Sequence, residues 1–119
     1  MIDQRHEKRV RIVQSLFSQS FGGKEEESSE EETVGKILKN KDEIDPLIEK
    51  YASRYPIQKI AKMDLAILRL SIWELMFDRK NPEKVVIDEA VELAKEFGNE
   101  KSYAFVNGVL GSILSNHKF

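Results

Sequence analysis

The sequence predicts an all-α fold, a compact bundle of about six to seven helices, on three observations. Apolar residues recur at three- and four-residue steps along most of the chain, the spacing of helix faces and not of strands. No segment alternates polar and apolar residues for long enough to require a strand, although Val85-Val86-Ile87 is locally ambiguous. The periodic stretches are separated by polar breaks that hold Gly, Pro or Asn, the residues that end or restart helices. With 119 residues and no internal repeat, the chain reads as a single domain over residues 1–119, large enough for one core.

From about Lys8 to Phe21 the apolar set Val10, Val13, Phe17 and Phe21 forms a helical stripe, widened by Ile12 and Leu16. Arg5 and Arg9 fall on one line beside that stripe, with Lys8 one step around. Gly22 to Gly35 follows, with six Glu and two Ser between residues 25 and 32. Such like charges repel and offer nothing to a core, so a flexible acidic loop is expected over about 22–33. The stretch lacks the alternation and Gly of an EF-hand loop, which argues against calcium.

Thr33 to Asn40 predicts a short helix on Val34, Ile37 and Leu38. Residues 43–54 predict a clearer one through Ile44, Leu47, Ile48, Tyr51 and Ala52, with Asp45 as cap and Pro46 in the first turn. Pro56 disfavours helix at Tyr55 and should end it. The helix from about Ile57 to Phe77 is apolar almost all round, which predicts the central, most buried element. Asp64, Arg69 and Glu74 interrupt it and are expected at its edges or paired. Asp78 to Glu83 reads as a connection, with Asn81 as cap and Pro82 opening the next helix. That helix has Ile87, Ala90, Val91, Ala94 and Phe97 in one stripe, and Gly98 is placed to end it in a left-handed conformation. Ser102 is then positioned to cap the last helix, whose stripe is Val106, Val109, Leu110, Ile113 and Leu114. Gly108 and Gly111 lie inside that helix at a cost of about 1 kcal/mol each relative to Ala. Close helix packing is the simpler reason for them, a functional need for the missing side chain the other.

At 40% apolar and 34% charged residues the composition is that of an ordinary globular protein rather than a disordered or membrane-embedded one. No apolar run approaches the roughly 20 residues that span a bilayer, and Met1 to Arg11 does not read as a signal peptide. With no Cys there is no disulfide framework and no thiolate metal site, in keeping with a reducing cytoplasm. Catalysis finds little support. His6 and His117 lie near the two ends, a poor basis for a nucleophile–His dyad or a zinc set. Gly22-Gly23 lacks the Lys-Ser/Thr sequel of a phosphate-binding loop. No enzyme activity, cofactor, metal or membrane partner is therefore expected.

The formal net charge of −2 hides an uneven distribution: residues 5–11 read RHEKRVR, four cations against Glu7. These are either a solvated helix start or a patch that follows phosphates. If about three phosphates were neutralised, single-stranded binding would fall with salt at a log–log slope of about −2. Single-stranded bases also stack on aromatic rings. Tyr103 and Phe105 lie at the start of the last helix, where unpaired backbone N–H groups favour phosphate, and Lys101 and Ser102 add a cation and a hydroxyl. Phe105 is open to a second reading as a core residue. The arrangement predicts that the two basic-aromatic ends adjoin in one strip.

The run VVIDEAVELAKEFGNEKSYAFVNGVL resembles the C-terminal signature of the bacterial NusB family, V-x-I-N-E-A-V-x-L-A-K-x-F-G followed by F-V-N-G-V-L. Leu68-Arg69-Leu70-Ser71-Ile72-Trp73-Glu74-Leu75 and Gln14-Ser15-Leu16-Phe17 agree with it, so the match covers most of residues 5–21 and 57–114, with a shortened middle region. The resemblance implies an all-helical transcription antitermination factor that binds boxA-type single-stranded RNA together with the small ribosomal protein NusE, within the RNA polymerase antitermination complex of ribosomal RNA operons. It assigns RNA contacts to Arg5, His6, Arg9 and Phe105, more weakly to Lys8, while Lys101, Ser102 and Tyr103 rest on position alone. For the partner face it points to Glu74, Asp88 and Glu89; Asp88 stands where the pattern has Asn. Two other readings stay open: a helical protein-interaction module that has lost RNA binding, and the N-terminal RNA-binding part of a ribosomal RNA cytosine methyltransferase. The second requires a catalytic domain beyond these residues.

Overall fold

The computed structural model describes residues 3–22, 30–52 and 54–119. Among them six α-helices form and no strand: α1 Gln4–Gln19, α2 Glu31–Lys39, α3 Lys41–Tyr51, α4 Lys62–Trp73, α5 Glu83–Phe97 and α6 Ser102–Asn116. The near-continuous apolar run makes α4 the axis, in contact with all five other helices. Leu65 to Leu68 and Leu70 to Trp73 are all buried, as all-round hydrophobicity requires. Arg69, the polar member of that run, is held at the edge by a two-pronged pair with Asp45 of α3, at 3.0 and 2.9 Å. No helix among the described residues is long and apolar enough to cross a membrane.

Several boundaries and faces differ from the sequence-based expectation. The expected helix over Ile57 to Phe77 is three pieces. A short 3-10 turn, Ile57–Lys59, comes first, and Ile60 and Ala61 are then extended, which turns the chain and buries Ile60. Beyond Trp73 the helix widens into a π turn, Glu74–Asp78, closed by the Arg79 N–H donating to the Glu74 carbonyl at 2.8 Å. Arg79 itself is left-handed, φ 55°. On α1 the buried set is Arg9, Ile12, Val13 and Leu16, with Val10 and Phe17 at the rim. Phe21 lies beyond the helix end and is 63% exposed, its ring against Phe17 edge-on at 5.0 Å. The face of α5 is shifted likewise: Val86, Ala90, Leu93 and Ala94 are buried, while Ile87, Val91 and Phe97 flank them.

The caps also differ. α3 starts at Lys41, so Pro46 lies inside it and Asp45 serves Arg69 instead of capping. Pro82 precedes α5 in an extended conformation, and Asn81 makes no capping bond. Gly98 ends α5 at φ −89°, ψ −169°, extended and not left-handed. Its need is space: a Cβ there would run into the Ser102 side chain and come within 2.7 Å of the Ala94 carbonyl oxygen. At Gly108 and Gly111 a Cβ would meet nothing within 4 Å, so close helix packing within the chain does not explain them. Glu31 and Glu32, expected in the acidic loop, extend the helix expected from Thr33 and form the start of α2. Glu30 before them is buried and takes both prongs of the Arg11 guanidinium at 2.9 and 3.0 Å. The rest of the acidic stretch, 23–29, lies outside the described residues.

Candidate nucleic-acid interface

Asp3 opens α1 by accepting the Arg5 N–H at 2.9 Å, which aligns the basic segment as a helix with separate faces. Arg5 and Lys8 are exposed. Arg9 points inward and grips Glu74 with two hydrogen bonds, 3.0 Å from Nε and 2.8 Å from Nη2. Both side chains are less than a tenth exposed, and the third Arg9 nitrogen, Nη1, stands 3.9 Å from Glu89. His6 lies between two α5 carboxylates, Nδ1 at 2.9 Å from Glu89 and Nε2 at 3.0 Å from Glu96. These bonds, the one to Glu89 foremost, raise its pKa above the ordinary value. Arg5 and Lys8 share with Lys36, Lys80 and Asn81 the wall of a groove of about 360 Å³, with Trp73 also in its lining.

Of the residues assigned to a partner face, only Asp88 is exposed; Glu89 is half-buried, and Glu74 is buried beneath Arg9. The π turn sets this arrangement, since Glu74 opens it and extends inward to α1 rather than outward.

At the other end of the chain the first turn of α6 divides the predicted residues between two sides. Tyr103 is exposed, and the Lys95 ammonium of α5 lies 5.6 Å from its ring centre. Phe105 lies on the opposite side, half-buried, with its ring edge-on to Tyr55 at 6.2 Å. Together with Lys59, Lys101, Asn99 and Asp64 these two rings line a recess of about 200 Å³. Ser102 is 1% exposed and works inside the corner. Its Oγ accepts the Asn99 N–H at 2.9 Å. Asn99 Oδ1 in turn accepts the Lys101 N–H at 2.8 Å. Burial pushes the Asp64 carboxyl above its usual range, and the influence of the Ser102 hydroxyl offsets this only in part. Among the described residues no donor reaches Asp64 Oδ1.

The two predicted ends flank the C-terminal half of α5. His6 touches Glu96, and the neighbouring Lys95 lies over Tyr103. Glu89, Glu92 and Glu96 stand along that ridge beside His6 and Lys95, so the edge is of mixed charge instead of uniformly basic. Sequence reasoning missed Tyr55, Lys59, Asp64 and Lys95. The available signals were the aromatic beside Pro56 at a helix break, and an acid opening an otherwise apolar helix.

The chain matches the NusB family model over residues 3–115. It is 37% identical to the transcription antitermination protein NusB of Bacillus licheniformis, covering 91% of this chain and 94% of that protein. It is 46% identical to NusB of Caldicellulosiruptor saccharolyticus over 80 residues, 67% of this chain but 61% of that relative's length. Among solved structures, NusB of T. maritima superposes with a TM-score of 0.81 at 30% identity, over 98% of this chain and 94% of the other. A chain in the crystal structure of a plectonemic RNA supercoil shares the fold, with a TM-score of 0.80 at 24% identity over 96% of each chain. With the helical order and the closing signature in place, the chain belongs to the NusB family of transcription antitermination proteins.

Proposed function

We propose that this protein is an antitermination factor that binds boxA-type single-stranded RNA together with ribosomal protein NusE, in support of ribosomal RNA transcription in the cytoplasm. The observation that carries the reading is the start of α6, where Phe105 and Tyr55 offer stackable rings beside Lys59 and Lys101. Cations for the backbone and π-faces for the bases are the two requirements of single-strand binding. Arg5 and Lys8 extend the phosphate track, with Tyr103 and Lys95 on the ridge between. His6 and Arg9 act through the carboxylates they hold, fixing α1 so that Arg5 and Lys8 face outward. On the partner side Asp88 is the exposed contact for basic NusE, and Glu89 and Glu74 anchor the surface behind it.

An anisotropy titration of boxA RNA, with and without NusE and across salt concentrations, tests this. The Arg5→Ala, Lys8→Ala double variant should bind more weakly and flatten the log–log salt slope by about 1.4, at about 0.7 per phosphate contact. An unchanged slope removes α1 from the track. A helical interaction module without RNA binding is the second reading, favoured by the carboxylates that occupy His6, Arg9 and Arg11. It predicts NusE binding with no RNA signal in the same titration.

A further inference from the structure

His6 joins α1 to α5, and both of its ring nitrogens are engaged. Nδ1 stands 2.9 Å from a Glu89 oxygen and Nε2 stands 3.0 Å from a Glu96 oxygen. Ionised carboxylates only accept, so both contacts are hydrogen bonds only when both nitrogens carry a proton. The geometry is that of an imidazolium. Glu89 foremost, and then Glu96, raise the His6 pKa in the same sense. When the proton leaves, one nitrogen turns a lone pair toward a carboxylate, and that contact becomes repulsive. Glu96 is the partner free to leave. Its side chain is 50% exposed against 22% for Glu89, and Glu89 also has Arg9 Nη1 at 3.9 Å.

No other charged group around His6 takes over this role. On α5, Glu92 stands 3.9 Å from Lys95, and both line one shallow cleft with His6 and Asp3. Asp3 is occupied with the Arg5 N–H. Arg9 is committed to Glu74 of the π turn, and Arg5 and Glu7 are exposed on α1. Of all these side chains only His6 is of a type that changes charge between about pH 5 and 8. Its proton therefore sets whether Glu96 is neutralised or an open negative charge. That charge lies on the ridge between the cations of α1 and those at the start of α6.

We propose that His6 is a proton-operated latch on RNA binding: protonated, it holds Glu96 and lets the phosphate backbone pass along the ridge, and neutral, it frees a carboxylate that repels it. His6 is here a positioning residue, acting through Glu96. The proposal rests on the RNA-binding reading and adds its regulation by pH. The sign follows from linkage, since RNA phosphates and the latch proton favour each other. Affinity is high below the His6 pKa of the free protein and falls as pH rises through the pKa in the complex.

The test measures affinity of the full chain for boxA RNA without terminal phosphates, by anisotropy at constant ionic strength. It runs from about pH 5.5 to 8.5, where a histidine titrates, with circular dichroism checking the fold at each pH. The parent should bind about 3- to 10-fold more weakly at the alkaline end, as one linked proton allows. Magnetic resonance titration of the His6 ring with and without RNA gives an independent reading. The difference between the two pKa values should equal the logarithm of that fold-change, an identity a merely structural histidine does not obey. His6→Gln should be flat with pH at the weak level. His6→Arg, whose fork donates to carboxylates at every pH, should be flat at the tight level. Glu96→Gln removes the exposed charge itself and should also be flat and tight, whether or not the His6 variants fold. His117→Gln should keep the parent profile. Affinity independent of pH in the parent, or a pH dependence that survives in Glu96→Gln, overturns the latch and leaves the RNA reading standing. No binding at any pH, with or without NusE, overturns both.

Discussion

At Gly98 an added methyl group would collide with the Ser102 side chain and stand 2.7 Å from the Ala94 carbonyl oxygen. Neither neighbour can yield. Ser102 is buried and holds the Asn99 N–H, and the Ala94 carbonyl accepts the Gly98 N–H at 2.9 Å. Gly98→Ala should therefore destabilise the protein by about 1–3 kcal/mol, the usual cost of forcing extra volume into a packed site, read as a lower midpoint in urea unfolding. Gly111→Ala has the opposite expected sign. Its Cβ would enter open space within α6, and the helix propensity gain of about 1 kcal/mol should raise the same midpoint. The sequence marks Gly98 as a helix end and Gly111 as unusual inside a helix but not which is crowded, because crowding is set by residues from another turn or helix. Arg9 shows the same limit. Its position beside an apolar stripe is legible, whereas its partner, 65 positions away, depends on α1 crossing α4 at the π turn. Arg9→Ala would leave Glu74 charged and buried, and a loss of about 3–5 kcal/mol is expected.

Between elements, the clamp of His6 on α5 gives stability a pH dependence of definite sign. The folded-state pKa is raised, chiefly by the hydrogen bond to Glu89 and then by that to Glu96. Protonated imidazole can donate to both carboxylates, neutral imidazole to one. The contribution is thus fully present below the ordinary value of 6.5 and is lost as pH rises through the higher folded value. Unfolding midpoints should fall across that window, by under about 1 kcal/mol for so accessible a pair, and His6→Gln should flatten the fall. At this scale the sequence shows most of the architecture. α2, α3, α5 and α6 are legible from their periodicity, with ends displaced by a few residues. The break at Ile60-Ala61 and the π turn after Trp73 are not. Neither has a Gly or Pro to announce it, and both are imposed by tertiary contacts: burial of Ile60, and the inward reach of Glu74 to Arg9.

Across the whole molecule a formal charge of −2 is compatible with RNA and a basic partner at once only if the signs are sorted by face. Arg5 and Lys8 line one groove, Lys59 and Lys101 the recess at α6, and the carboxylates gather along α5. That sorting was half legible: the basic start and the aromatic pair in α6 are plain in the sequence. The division of Tyr103 and Phe105 onto opposite sides, and the contribution of Tyr55 and Lys59, follow only from the packing of α6 against α3 and the 3-10 turn. The acidic ridge yields the last prediction. Reversal of Glu74 is a poor probe of the NusE face, because it would break the buried pair with Arg9 and unfold the protein. Asp88 is exposed on α5, and Asp88→Lys should leave the unfolding midpoint within about 0.5 kcal/mol of the parent. If α5 meets a basic partner, that reversal should slow NusE association several-fold, with the effect shrinking as salt rises and the dissociation rate little altered, as for a charge at the rim of an interface. Surface plasmon resonance at low and physiological salt separates the two rates. Equal association rates for parent and variant at low salt would place the NusE contact away from this ridge, and RNA affinity measured without NusE should be unchanged in either case.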